Sequence, residues 1–178
     1  MGTVTSGLLG DMLRHGIGQV CTMAVNEIDI EAAPEAVFDV LSDARSYGYW
    51  VVGSRAIHAA DAEWPAQGAV FEHTQGLWIL PLLRDETSVL RSTRPALLEL
   101  RVQARPLTVA HVTLRLSPQG GGTHVVMEEV PADLRSKIVL NPLMQPLLHL
   151  RNAESLRRLK RLAEGAEPMP DGDLPPRR

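Results

Sequence analysis

Apolar residues follow two spacings along this chain. From about residue 20 to residue 130 they tend to alternate with polar ones, and beyond that they recur every three or four positions. The clearest alternation sets Val109, His111, Thr113 and Arg115 against Ala110, Val112, Leu114 and Leu116. A half-buried strand needs this period of two because successive side chains leave opposite faces. SRAIHAAD, AVFEHTQG, RDETSVLRST, LLELRVQA and THVVMEEV are further strand candidates, separated by turn-forming WPAQG, RP, RP and PQGGG. Such short connections predict an antiparallel sheet rather than a series of parallel crossovers. A first strand is expected over Val20–Glu31, with Met23, Val25, Ile28 and Ile30 apolar. Its alternation changes phase, which predicts a bulge near Asn26.

Two helical stretches interrupt the strands. In AAPEAVFDVLSDARSYGYW, Pro34 suits a first helical turn, and Val37, Phe38, Val40 and Leu41 make an apolar face. Ser42 or Asp43 is placed to cap a second short helix. Later, Ile138, Val139, Leu143, Leu147, Leu150, Leu156, Leu159 and Leu162 predict a long helix with one apolar stripe, ended by Gly165. Pro142 and Pro146 place its regular start at Pro146 or a kink there. The expected fold is α+β: a curved antiparallel sheet of about seven strands around this helix, with two short helices after the first strand. On this reading a charge at Leu147 is far more damaging than one at Arg158.

Composition narrows the picture. The 178 residues suit one domain, expected over 20–165, after an N-terminal arm or loosely packed helix at 1–19 and before a tail at 166–178 expected to fray. A net charge of −3 gives no general attraction to nucleic acid. Cys21 is the single cysteine, so no disulfide can close within one chain. The first residues make a poor secretion signal, and no long apolar run predicts a membrane span. A cytoplasmic protein without integral membrane association is expected. No signal bears on oligomeric state.

The segment IDIEAAPEAVFDVLSDARSYGYW, residues 28–50, combines a strand, an alanine–proline–glutamate helix start and a tyrosine-to-tryptophan stretch. With GGTHVVMEE at 121–129 and SLRRLKRLAEG at 155–165, it resembles the START-like, or polyketide cyclase/dehydrase-like, lipid-binding superfamily (SRPBCC), over roughly residues 20 to 165. The resemblance implies a helix-grip fold with an elongated apolar cavity between sheet and last helix. It spans lipid transporters, receptors and aromatase/cyclases, so it implies little about chemistry. An aromatic content of 4 % points away from a site built on ring stacking.

Candidate residues follow. Trp50, Phe71 and Trp78 are expected to shape the cavity, with Tyr47 and Tyr49 as a polar rim. Leu143, Met144, Leu147 and Leu148 would form the helical wall, and Met127 an adaptable patch on the sheet. Core packing is the ordinary alternative for each. His58 and His73 are weak candidates for a ligand donor or general base. Arg91 alternates with Asp85, Thr87 and Val89 and is a weak candidate to hold a carboxylate or enolate. Solvent exposure is the ordinary alternative for all three. His58, His73, His111 and His124 fall in separate strands without ligand spacing, so no metal is expected. No cofactor is needed.

Three functions fit: binding, sequestration or transport of a small hydrophobic molecule (lipid, isoprenoid or polyketide-like); a cyclase or dehydratase using pocket His, Arg or Tyr groups; and a protein-interaction or stress-response domain with a filled interior.

Overall fold

The computed structural model describes residues 24–76, 83–104, 108–133, 136, 142–169, 172 and 174–177. Expectations for the 1–19 arm, Cys21, Met23, Trp78, Ile138 and Val139 fall outside these. The chain runs β1 (Ala24–Ile30), α1 (Pro34–Ser42), a 3-10 turn (Ala44–Ser46), α2 (Tyr47–Trp50) and β2 (Ser54–Ala60). β3 (Val70–Gln75), β4 (Leu83–Thr93), β5 (Leu97–Ala104), β6 (Thr108–Gln119) and β7 (Gly122–Pro131) follow. A 3-10 turn (Pro142–Met144) then leads into α3 (Gln145–Ala163).

The strands form one antiparallel seven-stranded sheet in the order β1-β7-β6-β5-β4-β3-β2. It is the curved sheet with two early helices and a long terminal helix that the alternation predicts. Local chemistry explains its turns. Gly120 and Gly121, at φ 57° and 87°, supply the two left-handed positions of the β6–β7 hairpin. At Gly122 a Cβ would stand 2.2 Å from the Ile30 carbonyl oxygen, so only glycine lets β1 end beside it. Pro34 opens α1, and the Asp43 side chain caps the next turn by accepting from Arg45 N at 2.9 Å.

β1 corrects one expectation. Its pairing with β7 runs without a shift from Ala24 to Ile30. The phase change arises because Asn26 takes an inward position between Ala24 and Ile28, while Val25 faces out. A polar side chain on the inner face mimics a bulge in the hydrophobic pattern.

Helix α3 corrects another. It packs against β1, α1 and α2 through Leu148, Leu156, Leu159 and Leu162, with Asn152 and Ser155 also buried between them. Leu147 is 52 % exposed and Leu143 and Leu150 more so. Each residue turns the helix by about 100°, so Leu147 and Leu150 fall off the face shared by Leu148 and Leu156. A charge at Leu147 is therefore tolerable, contrary to the sequence expectation. Gly165, at φ 70°, ends the helix.

Beneath α1 and α2 the core is aromatic. Tyr47, Trp64 and Phe71 form a cluster of rings, with centroids 5.6 Å apart for Tyr47–Trp64 and 4.7 Å for Trp64–Phe71. The buried indole and phenol are satisfied: Trp64 Nε1 donates to Leu41 O at 3.2 Å and Tyr47 Oη to the same oxygen at 3.0 Å.

Candidate functional site

The inner face of the sheet has two halves. Toward Ile30, Leu116, Leu98 and Phe71 it is almost wholly apolar and is sealed by α1, α2 and the end of α3. Toward the other ends of the strands the inward positions turn polar: Asn26 on β1, His73 on β3, Asp85 and Thr87 on β4, and Glu129 on β7. His73, Asp85, Thr87 and Glu129 are buried. Strand alternation puts them there, since each continues a row of apolar side chains two residues at a time.

His73 is the most unusual of these groups. It pairs across the strands with Asp85, and its Nε2 lies 3.0 Å from Thr87 Oγ1. Its other ring nitrogen, Nδ1, is buried without a hydrogen-bond partner among the described residues. Burial pushes the imidazole down to about 4 from its ordinary 6.5; Asp85 opposes this shift and His58 adds to it. The ring is thus neutral at neutral pH. If Thr87 donates to Nε2, Nδ1 carries the hydrogen and is a donor; if Nε2 donates to Thr87, Nδ1 is an acceptor. Leaving such a buried atom unpaired costs about 1–3 kcal/mol. Asp85 is itself engaged, its Oδ1 accepting from Glu86 N at 3.0 Å.

A second polar group joins α3 to the sheet. Arg151 Nη2 and Asn152 Nδ2 both donate to Glu129 Oε2, the latter at 2.9 Å. Arg151 also donates to Asn152 Oδ1, at 3.1 Å from Nε. Asn26 Nδ2 donates to His149 O at 3.1 Å, while its Oδ1 is buried with no partner among the described residues. Val52 N donates to Ser155 Oγ at 3.0 Å. The middle of the helix is therefore held by directed bonds, where its last turns are held by leucine packing.

The sequence-derived candidates separate cleanly. Phe71 and Met127 are both buried on the inner face; the Phe71 and His73 ring centroids are 5.2 Å apart, whereas Met127 lies on β7 beside Leu114. Leu148 is the inward member of the helical wall; Leu143 and Leu147 project outward and Met144 is partly exposed. Tyr47 and Trp50 are sealed in the core; burial pushes the Tyr47 phenol up, and Trp50 Nε1 donates to Ser46 Oγ at 3.2 Å. Tyr49 is exposed. His58 bonds Thr74 Oγ1 at 2.5 Å, on the face away from His73. Arg91 is also exposed: a register shift between Val89 and Arg91 breaks the alternation that set it with Asp85 and Thr87.

Asp85, Thr87, Glu129 and Asn152 were not singled out by sequence reasoning as site residues. A charged or amide side chain at the apolar phase of a strand or helix was the available signal. The basic face of α3 is largely neutralised by carboxylates on the helix and just past its end: Arg158 meets Glu154 at 2.9 Å, Lys160 meets Glu164 at 2.7 Å and Arg161 meets Glu167 at 2.6 Å. Among the described residues no three His, Cys, Asp or Glu side chains converge to hold a metal ion, and no helix is long and apolar enough to cross a membrane.

Comparison with known proteins accords with this architecture. The structure is similar to that of protein CV1439 from Chromobacterium violaceum, with TM-score 0.63 and 14 % identity, over 80 % of this chain and 97 % of that one. It is similar to TTHA0849 from Thermus thermophilus, with TM-score 0.65 and 16 % identity, over 82 % and 99 % of the two chains. It also resembles StfQ, a di-domain ARO/CYC protein from the steffimycin biosynthetic pathway, with TM-score 0.66 and 11 % identity, over 93 % of this chain and 63 % of that one. At these identities the likeness is one of fold. No curated protein matches the sequence. The family model described as "Polyketide cyclase / dehydrase and lipid transport" matches residues 23–164, and the chain belongs to that family.

Proposed function

We propose that this chain binds a small hydrophobic molecule bearing one neutral polar group, such as a lipid, isoprenoid or polyketide-like compound. Its apolar body would lie against the inner face of the sheet, near Phe71 and Met127, and its polar group would meet His73 Nδ1. The observation that carries this reading is the buried Nδ1, unpartnered among the described residues and beside an apolar wall. Apolar burial supplies affinity, and one directed bond sets orientation. The family description, with its lipid transport, supports the class of guest.

A catalytic reading uses the same residues, since Thr87 orients the ring and Asp85 stands opposite it. The ARO/CYC description of StfQ favours it. The chemistry favours binding: an imidazole held down to about 4 is a weak base at neutral pH, a poor match for proton abstraction. A neutral ring serves well as a fixed hydrogen-bonding partner for a hydroxyl or ketone.

The test is native mass spectrometry after gentle purification, followed by titration with matched guests, for example an isoprenoid alcohol and the corresponding hydrocarbon. The polar guest should bind roughly tenfold more tightly, the worth of about one hydrogen bond. His73→Leu should erase that preference while hydrocarbon binding persists. A folded protein that carries no guest and binds none across a lipid, isoprenoid and polyketide panel would refute the proposal. Turnover of an enol-rich substrate that is lost in His73→Leu would establish the catalytic reading instead.

A further inference from the structure

The sheet ends on one side at β2, and residues 174–177 meet that outer edge at its last residue, Ala60. Ala60 N donates to Pro175 O, and Arg177 N donates to Ala60 O, both at 3.4 Å, making a parallel bridge between Ala60 and Pro176. This pattern asks nothing of either proline's missing N–H, because Ala60 bonds only to the residues flanking Pro176. Leu174 is partly buried against the core and forms one wall of a shallow, largely polar depression shared with Arg45, Asp61 and Trp64. Arg177 Nε donates to Asp61 Oδ1 at 3.1 Å, and its Nη1 lies 3.6 Å from Glu86 Oε1. Arg45 Nη1 donates to Gly172 O.

The receiving groups are themselves held in place. Asp61 Oδ2 accepts from Val70 N at 2.9 Å, and Arg45 is gripped by Asp43 through Nε at 2.8 Å and Nη2 at 2.7 Å. The margin of the core, the last residue of a strand edge and two carboxylates thus meet a leucine, an extended backbone and an arginine in that order. This is the division of labour in strand-addition recognition, where the backbone gives adhesion and alternate side chains give selectivity.

We propose that this edge of β2 is a docking groove for an extended leucine–proline–proline–arginine segment, and that Leu174–Arg177 of the same chain occupies it as a strap. An open sheet edge is a template for pairing with another chain. The strap occupies the Ala60 end of that edge and leaves its two prolines exposed, where they cannot extend the sheet. The prolines also hold the segment extended in advance, which lowers the entropy lost on docking. The short tether from the end of α3 favours docking within one chain over capture from another. The proposal is independent of any guest inside the sheet.

The test uses the full chain carrying Leu174→Asp and Arg177→Glu, and a fluorescently labelled peptide of residues 170–178. The wild-type chain should leave the peptide free, because its own strap fills the groove. The double variant should bind it, and a peptide with the same two changes should bind roughly tenfold or more weakly, the scale set by burying one leucine. Exchange of the Ala60 amide hydrogen should quicken in the variant and slow again when peptide is added. A chain shortened after Pro168 provides a second receptor with the same expectation. Equal peptide binding by wild type and variant would overturn the proposal, as would an Ala60 exchange rate that neither change moves. A wild-type dimer that the double variant converts to monomer would overturn docking within one chain and assign the strap to a second copy.

Discussion

Helix α3 is anchored differently at its two ends. Leu156, Leu159 and Leu162 sit among Ile30, Phe38, Leu41 and Val125 in a continuous core, whereas Leu147 and Leu150, with Leu143 in the turn before the helix, face solvent. Between them, Asn152 and Ser155 replace packing with hydrogen bonds. The polar inward residues of the sheet begin at the border of the aromatic seal, where His73 and Thr87 adjoin Phe71, and continue away from it. Stability is therefore concentrated where α1, α2 and the last turns of α3 meet, and the other half carries the groups with unspent bonding capacity. Binding sites are commonly drawn from the less stable part of a fold, because the stable part has already used its contacts.

The largest expected effect tests the seal. Leu159→Ala removes a side chain with 0 % exposure and should cost about 4 kcal/mol in chemical denaturation. An equal cost for Leu147→Ala would erase the contrast between the two ends.

The next effect is one of pH. His73 is held at about 4 in the folded chain against an ordinary 6.5 when unfolded, so between those values the unfolded chain binds the extra proton. Stability should therefore fall as pH drops from 6.5 toward 4, by up to about 3 kcal/mol, and this group should add no slope above that window. His73→Gln removes this contribution. Denaturation midpoints measured from about pH 4 to 8 should fall less steeply toward acid in the variant than in wild type.

A smaller loss is expected at the join between helix and sheet. Arg151→Met leaves the buried Glu129 carboxylate with Asn152 alone, at a cost of about 2 kcal/mol. Because Arg151 is partly exposed, water will reach the site, and the loss should lie below that of a fully buried pair. Replacing Glu129 by Gln in the same background should recover part of it, which a double-mutant cycle measures.

The smallest effect is the most diagnostic of the exposed helical face. Leu147→Ser should change stability by no more than about 0.5 kcal/mol, as at other half-exposed positions. A large loss would mean that the leucine is packed in solution.

Much of this fold is readable in local pattern. The alternation of Ala110, Val112, Leu114 and Leu116 marks β6, the glycines before Thr123 mark its hairpin, and Pro34 marks the start of α1. The site is less readable because its members come from different strands and from a helix far along the chain. His73 stands out as a polar residue in an apolar row, but nothing local says that Thr87 will take one ring nitrogen and leave the other bare. Arg91 shows the opposite failure: a one-residue register shift in β4 turned a plausible inward cation to solvent. The exposed leucines of α3 likewise satisfy a helical spacing without sharing the buried face.

The order of apolar and polar residues, with proline and glycine at the turns, was enough to determine the sheet, the two early helices, the long terminal helix and the family. These depend on backbone period and turn geometry, which a few neighbouring residues dictate. Which polar groups are buried, which remain unpaired and which leucines meet the core depended on the tertiary structure. Those outcomes depend on strand register and helix rotation, where one residue of slip or about 100° of turn reverses the answer.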